Sequence, residues 1–241
     1  MNQHCRKAVI LAGGKGTRLR PFSFTIPKPL MPIGEDPILL RLLNQFKMSG
    51  VEEFFIALGF QAELVKAYFG DGQKFGVKIK YYQEDFPLGT AGPLSLMASE
   101  FKENEYFFLA NGDIYTELDF GLFRDFAIKS NSDMTVGCVE KKEKSSFGVI
   151  ETDNGEITGI IEKPERTYSI SSGMYVLNGR AVSKIPCNRF FTIPDLMNVY
   201  LSKRLSISAF MISEFWMGIE NAENLDEVLN RTILIANSDQ I

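Results

Sequence analysis

Short apolar runs alternate with stretches of helical period through the first half of this chain, and that alternation leaves few folds open. Residues 8–12 form a continuous apolar run that reads as a buried strand. Residues 37–48 read as a helix, with Pro37 at its start and Gly50 just past its end. Residues 53–58 read as a strand, 62–69 as a helix and 77–82 as a strand. Residues 91–101 read as a helix with Thr90 as its N-cap, and 106–110 as a further strand. This rhythm calls for parallel strands joined by right-handed crossovers, with helices on both faces. The expected class is α/β: a Rossmann-like, mixed but mainly parallel sheet flanked by helices.

Beyond a helix at 119–130 the rhythm changes. Strands at 134–139, 149–151, 157–161 and 174–177 follow closely, and Asn154-Gly155 between two of them is a hairpin signal. An antiparallel portion is therefore expected in the second half. A helix at 194–201, a strand at 206–212 and a terminal helix at 224–236 complete the chain. With no internal repeat, low-complexity tract or linker, residues 1–241 read as one domain of two halves, about 1–115 and about 116–241.

Composition limits the chemistry such a domain can run. There is one histidine, His4, and the three cysteines, Cys5, Cys138 and Cys187, lie far apart. No zinc cluster can be built from that set. A Ser–His–acid or Cys–His relay would need His4 to fold back into a site. Carboxylates, lysines, arginines, backbone amides and a hard metal ion remain. The odd cysteine count argues for a reducing compartment. The run at 8–12 is too short for a signal-peptide core, and no stretch reaches the ~20 apolar residues of a membrane span, so a cytoplasmic location is expected. With 26 basic and 30 acidic residues the net charge is −4, which does not suit a nucleic-acid binder.

The first strand runs into Gly13-Gly14-Lys15-Gly16-Thr17-Arg18-Leu19-Arg20-Pro21. Loops at the C-terminal ends of parallel strands are where open α/β sheets bind ligands. Glycines let backbone amides approach phosphate oxygens, and Lys15, Arg18 and Arg20 add positive charge. The loop lacks the Gly-Lys-Ser/Thr of a P-loop, and Leu19 stands where a dinucleotide fingerprint needs a third glycine. Half of the ten prolines lie between Pro21 and Pro37, and Pro27-Lys28-Pro29 fixes a lysine between two rigid residues. A segment this long is usually functional. Asn111-Gly112-Asp113 ends the strand at 106–110, where a carboxylate suits Mg²⁺, an ion held by one or two carboxylates plus substrate phosphates.

The run Leu11-Ala12-Gly13-Gly14-Lys15-Gly16-Thr17-Arg18-Leu19-Arg20-Pro21, followed by Pro27-Lys28-Pro29, resembles the signature of the sugar-1-phosphate nucleotidylyltransferases, the nucleotide-sugar pyrophosphorylases. The segment Leu88-Gly89-Thr90-Ala91-Gly92-Pro93-Leu94 is most similar to mannose-1-phosphate guanylyltransferases and their relatives. The resemblance implies transfer of a nucleotidyl group from an NTP, GTP being favoured, to a mannose- or heptose-like sugar 1-phosphate. It assigns catalysis to Arg18, Lys28, Asp113 and Lys163. It assigns nucleotide binding to Leu11, Ala12, Gly13, Gly14, Lys15, Gly16, Thr17, Gln83, Gly89 and Thr90. Sugar-phosphate binding falls to Gly148, Glu162, Lys163 and Ser171, where Ser171 replaces the family's usual asparagine. Asp113 is assigned to Mg²⁺. The family's second metal aspartate falls at Gly218, which has no ligating side chain, and Glu220, two residues on, is the candidate substitute. Relatives are often homo-oligomers, and no appended acyltransferase solenoid is expected after the terminal helix. The alternatives are a uridylyl-, thymidylyl- or cytidylyltransferase, or a non-catalytic nucleotide or sugar-phosphate sensor.

Overall fold

The computed structural model describes residues 5–238, so His4 lies outside the described residues. The first half contains β1 (Lys7–Ala12), a two-residue hairpin of β2 (Pro32–Ile33) and β3 (Asp36–Pro37), and α1 (Ile38–Met48). It continues with β4 (Glu53–Leu58), α2 (Ala62–Phe69), β5 (Lys78–Gln83), β6 (Tyr106–Asn111) and β7 (Ile114–Thr116). Next come α3 (Phe120–Ser130), β8 (Met134–Lys144), β9 (Val149–Asp153), β10 (Glu156–Ile161) and β11 (Glu165–Asn178). The chain ends with α4 (Gly179–Val182), α5 (Ile193–Ser202), β12 (Ile207–Met211), β13 (Trp216–Gly218) and α6 (Ala222–Ser238).

A seven-stranded sheet runs in the order β12-β8-β11-β6-β1-β4-β5. Neighbours are parallel except β11, which is antiparallel to both β6 and β8. Strand alternation builds a core on each face. Ala8 and Ile10 of β1, Phe54 and Ile56 of β4, and Phe108 of β6 face α1, α2 and α3. Val9, Phe55, Phe107 and Leu109 face the other way, toward segment 92–100, α4 and α5. Full burial of one such phenylalanine stabilises by about 1.5–3 kcal/mol. A third cluster joins Leu19, Met31 and Ile33 of the proline-rich segment to Tyr115, Ile219 and Val228. That cluster anchors the long segment after the glycine loop.

The structure departs from the expected elements in three places. Residues 92–100 are not an α-helix but two 3-10 turns with a non-helical break at Met97. Pro93 follows Gly92, and a Cβ at Gly92 would come within 2.7 Å of the Arg189 carbonyl, so the segment is set by its packing against residues 189–191. Thr90 does not cap it: its hydroxyl accepts a hydrogen bond from the Ile193 amide at the start of α5 (2.9 Å). β8 and β11 are longer than expected, extending together as a ribbon over 140–144 and 165–169. β7 and β13 pair antiparallel as a small separate sheet absent from the sequence reading.

Candidate active site

The sheet order reverses beside β1. From β1 the chain moves out to β4 and β5, then returns to place β6 on the other side of β1. Loops leaving β1 and β6 therefore diverge and open a crevice at their carboxyl ends. A cleft of about 740 Å³ lies there. Leu11, Ala12, Gly13, Gly14, Lys15 and Gly16 line it from the β1 loop, with Lys28 from the proline-rich segment, Asp113 from the end of β6, and Gly89 and Thr90 from the segment after β5.

Gly16 has φ +59°, and its missing side chain lets the loop lie against Lys28, since a Cβ there would stand 3.2 Å from Lys28 Cβ. Lys28 Nζ in turn donates to Asp113 Oδ2 at 2.5 Å, and both groups are partly buried. This pair joins two motifs that are 85 residues apart in sequence. It holds an ammonium and a carboxylate together at the mouth of the glycine loop. Lys15 is exposed beside them.

Arg18 and Thr17 are exposed on the 3-10 turn that follows the loop, outside the lining of this cleft. Arg18 pairs with Glu220, and both side chains are well exposed. Glu220 is thus engaged with a cation rather than turned to Asp113. Gln83 does not line the cleft either: its amide oxygen accepts from Lys66 Nζ (3.0 Å). The residue after it, Glu84, occupies the cleft instead. Glu84 and Phe86 belong to the segment from Gln83 to Leu94 that the family resemblance assigns to the nucleobase, and Asn111 opens the Asn-Gly-Asp motif of Asp113; all three line the cleft, as do Phe60 and Phe190, which no motif marks. The signal for Glu84 over Gln83 lies in the strand bounds. β5 ends at Gln83, and alternation then turns Gln83 and Glu84 to opposite sides.

A second cleft of about 880 Å³ lies over the antiparallel half, lined by Ile170, Trp216, Met217, Gly218, Glu220 and Asn221 among others. Its link to the first is the β7–β13 pair: Gly218 lies opposite Ile114, and the Ile219 amide donates to the Asp113 carbonyl (2.8 Å). The Trp216 indole donates to the Ser172 carbonyl (2.9 Å), fixing the ring on the cleft wall. Ser171 is hydrogen-bonded to the Tyr175 hydroxyl (2.8 Å) at the irregularity between β11 and β8. Gly148 and Glu162 are brought together, with Glu162 Oε2 standing 3.0 Å from where a Gly148 Cβ would be. Lys163 is exposed next to them with φ +44°. These three stand at the base of the β9–β10 hairpin, outside the lining of both clefts.

Burial raises the pKa of the Glu84 carboxyl, against a lowering hydrogen bond from the Leu88 amide. Among the described residues no group of three or more His, Cys, Asp or Glu side chains forms a metal cage. Asp113 is the carboxylate at the cationic end of the first cleft. Its hard oxygen donors suit an ion that takes one or two carboxylates and completes its shell with phosphate and water.

Residues 7–232 match the family model described as nucleotidyl transferase. The mannose-1-phosphate guanylyltransferase of Mycobacterium tuberculosis is 33% identical over 192 residues, 78% of this chain and 53% of that protein. The mannose-1-phosphate guanyltransferase of Yarrowia lipolytica is 34% identical over 223 residues, 88% of this chain and 60% of that protein. The chain thus spans between half and two thirds of the length of these relatives. Among solved structures, HddC from Yersinia pseudotuberculosis complexed with GMP-PN superposes with a TM-score of 0.70 at 27% identity, covering 94% of this chain and 99% of that one. A putative glucose-1-phosphate thymidylyltransferase from Bacillus anthracis shares the fold with a TM-score of 0.76 at 24% identity, covering 93% and 94%. The glycine loop at the sheet's switch point and the match over nearly the whole chain agree: this protein belongs to the nucleotidyl transferase family.

Proposed function

We propose that the chain transfers a guanylyl group from GTP to a mannose- or heptose-like sugar 1-phosphate, giving a GDP-sugar and pyrophosphate. The observation that carries this reading is the Lys28–Asp113 pair at the mouth of the glycine loop, inside a cleft at the switch point of the sheet. A sugar phosphate is already an anionic nucleophile at neutral pH, so attack on the α-phosphorus requires no general base. The protein's part is positioning and charge neutralisation. Lys28, held by Asp113, faces the phosphates. Lys15 and the backbone amides of the glycine loop receive the triphosphate, and Arg18, released from Glu220, reaches the departing pyrophosphate. Lys163 holds the incoming phosphate, with Gly148, Glu162 and Ser171 toward the sugar. Asp113 would hold Mg²⁺, which when bound neutralises charge across the nucleotide phosphates.

Asp113→Ala and Arg18→Ala are each expected to lower turnover by at least about a hundredfold, the scale of losing one key electrostatic group. Near-normal rates in both variants would refute the mechanism. A panel of four NTPs against mannose, glucose, glucosamine and heptose 1-phosphates tests the substrates. A cytoplasmic location is part of the same proposal, supported by three free cysteines. No described helix is long and apolar enough to cross a membrane. Self-association is also proposed. It is supported by the apolar face of the β9–β10 hairpin, where Ile150, Ile157 and Ile160 are 53%, 70% and 69% exposed.

A further inference from the structure

We infer that β12 is the edge on which a second copy of this chain docks, strand against strand about a two-fold axis, so that the two seven-stranded sheets run on as one. The inference goes beyond the transfer chemistry proposed above and does not rest on it.

β12 ends the sheet on its side, pairing in parallel with β8 and with no other strand among the described residues. Just past it, the Ile212 amide donates to the Cys138 carbonyl of β8 (2.8 Å). Backbone groups of successive strand residues point alternately to the two sides. Ser208 and Phe210 therefore turn theirs toward β8, and Ile207, Ala209 and Met211 turn theirs to the open edge. Such a row of outward N–H and C=O groups is a template for a further strand.

The two edges of the sheet are guarded differently. β5, at the other edge, carries Lys78 and Lys80, both exposed, and charge of that kind keeps an edge from pairing. β12 has no such guard. Residues 205–213, Leu-Ser-Ile-Ser-Ala-Phe-Met-Ile-Ser, hold neither a charge nor a proline. Ala209 and Met211 are exposed on this strand. Above it, α3 leaves Leu122 and Phe126 exposed, and the Phe126 ring lies 5.3 Å from that of Phe210. These side chains extend the open edge into an apolar surface, whose burial is favourable.

The pattern is self-complementary, which points to a second copy as the occupant. Antiparallel strands centred on Ala209 set Ala209 opposite its counterpart and Ile207 opposite Met211. Every outward amide then meets an outward carbonyl. The same register carries the Arg204 end of one copy toward Glu214 of the other. Among the described residues neither forms an ion pair, and the Glu214 carboxylate accepts only from its neighbour Ser213. The basic start and acidic end of the segment match only when the two copies run antiparallel. A two-fold pairing of this kind is closed, so it stops at two copies. It also leaves the first cleft open, since β12 lies four strand spacings, about 19 Å, from β1. Met211 and Glu214 line the second cleft, so the second copy would stand along that cleft's β12 wall.

The test uses the whole chain in sedimentation and in oxidative cross-linking. The Ala209 amide points away from β8, so Ala209→Pro removes no bond within the sheet. Ala209→Lys sets two like charges face to face. Each variant should halve the sedimenting mass of the parent while its melting temperature stays close to the parent's. If Ala209→Pro fails to fold, Ala209→Lys decides. In a Cys187→Ser background, Ala209→Cys should form a disulfide-linked pair on oxidation, because opposed residues there have Cα atoms about 5.5 Å apart, within disulfide reach. Lys78→Cys, on the guarded edge, should not. A monomeric parent overturns the inference, as does an unchanged mass in folded Ala209→Lys or an Ala209→Cys that links no better than Lys78→Cys. A mass that falls with Ile160→Asp but not with Ala209→Lys places association on the β9–β10 hairpin alone and also overturns it.

Discussion

A Cβ placed at Gly218 would meet nothing nearer than the Trp216 ring, 3.7 Å away, so an aspartate fits there without moving the backbone. It would stand on β13, whose continuation hydrogen-bonds to Asp113. Gly218→Asp is therefore expected to lower the Mg²⁺ concentration for half-maximal activity several-fold, because a second carboxylate raises the charge of the site. A Mg²⁺ titration of both proteins checks this, and an unchanged midpoint counts against a metal at Asp113. Glu84 gives a second prediction at this scale. Burial raises its pKa, so protonation sets in at a higher pH than for an exposed glutamate. A carboxyl pKa raised by folding contributes stability below the unfolded pKa, lost as pH rises through the folded one. Glu84→Gln, which cannot ionise, should therefore lose less stability than the parent as pH rises across that range. Chemical denaturation of both proteins over a pH series checks this, and parallel profiles would refute it.

Between elements, the segment after β5 is clamped to the loop before α5. The Ala91 and Gly92 amides both donate to the Phe191 carbonyl (2.9 and 2.8 Å), and the Phe191 amide donates to the Leu88 carbonyl (2.9 Å). α5 itself begins with a capping box of Thr192 and Asp195. Gly89 has φ +81°, and a Cβ there would stand 2.6 Å from the Phe191 carbonyl oxygen. Gly89→Ala combines a disfavoured backbone with a collision against backbone. It should cost about 1–3 kcal/mol of stability, and it should weaken nucleotide binding because it disturbs both walls of the cleft. Chemical denaturation and nucleotide titration read the two effects. A variant as stable as the parent would show that the clamp yields. The same clamp explains why the helix expected at 91–101 is absent, since its residues answer to the facing loop rather than to helical period. The ribbon of β8 and β11 escaped the sequence for another reason. Residues 140–144 and 165–169 are exposed on both faces and carry no apolar alternation. Their pairing is written in cross-strand partners such as Lys142 and Glu165 (3.5 Å).

Across the whole molecule, the sheet places every C-terminal loop of β1, β4, β5 and β6 on one edge, and the cleft follows from that order. The β9–β10 hairpin, whose base carries Gly148, Glu162 and Lys163, pairs Ile150 with Ile160, and both side chains are exposed. Isolated exposed isoleucines are ordinary, and it is their grouping on one hairpin that supports the proposed self-association. Ile160→Asp is expected to shift the sedimentation of the chain toward the monomer while leaving its melting temperature close to the parent's. A monomeric parent would refute self-association.

The sequence by itself determined the α/β class, the parallel half and the cationic glycine loop, because apolar periodicity and glycine spacing are local properties. It also marks Gly218 as the place where the family resemblance leads one to expect a metal aspartate, because a motif is compared position by position. Tertiary structure alone decided which of these meet. Lys28 finds Asp113 and Arg18 finds Glu220 across 85 and 202 residues, pairings that depend on strand order. Glu84 rather than Gln83 enters the cleft because successive side chains at the end of β5 point to opposite sides, and only the neighbouring strands and loops decide which side is the cleft.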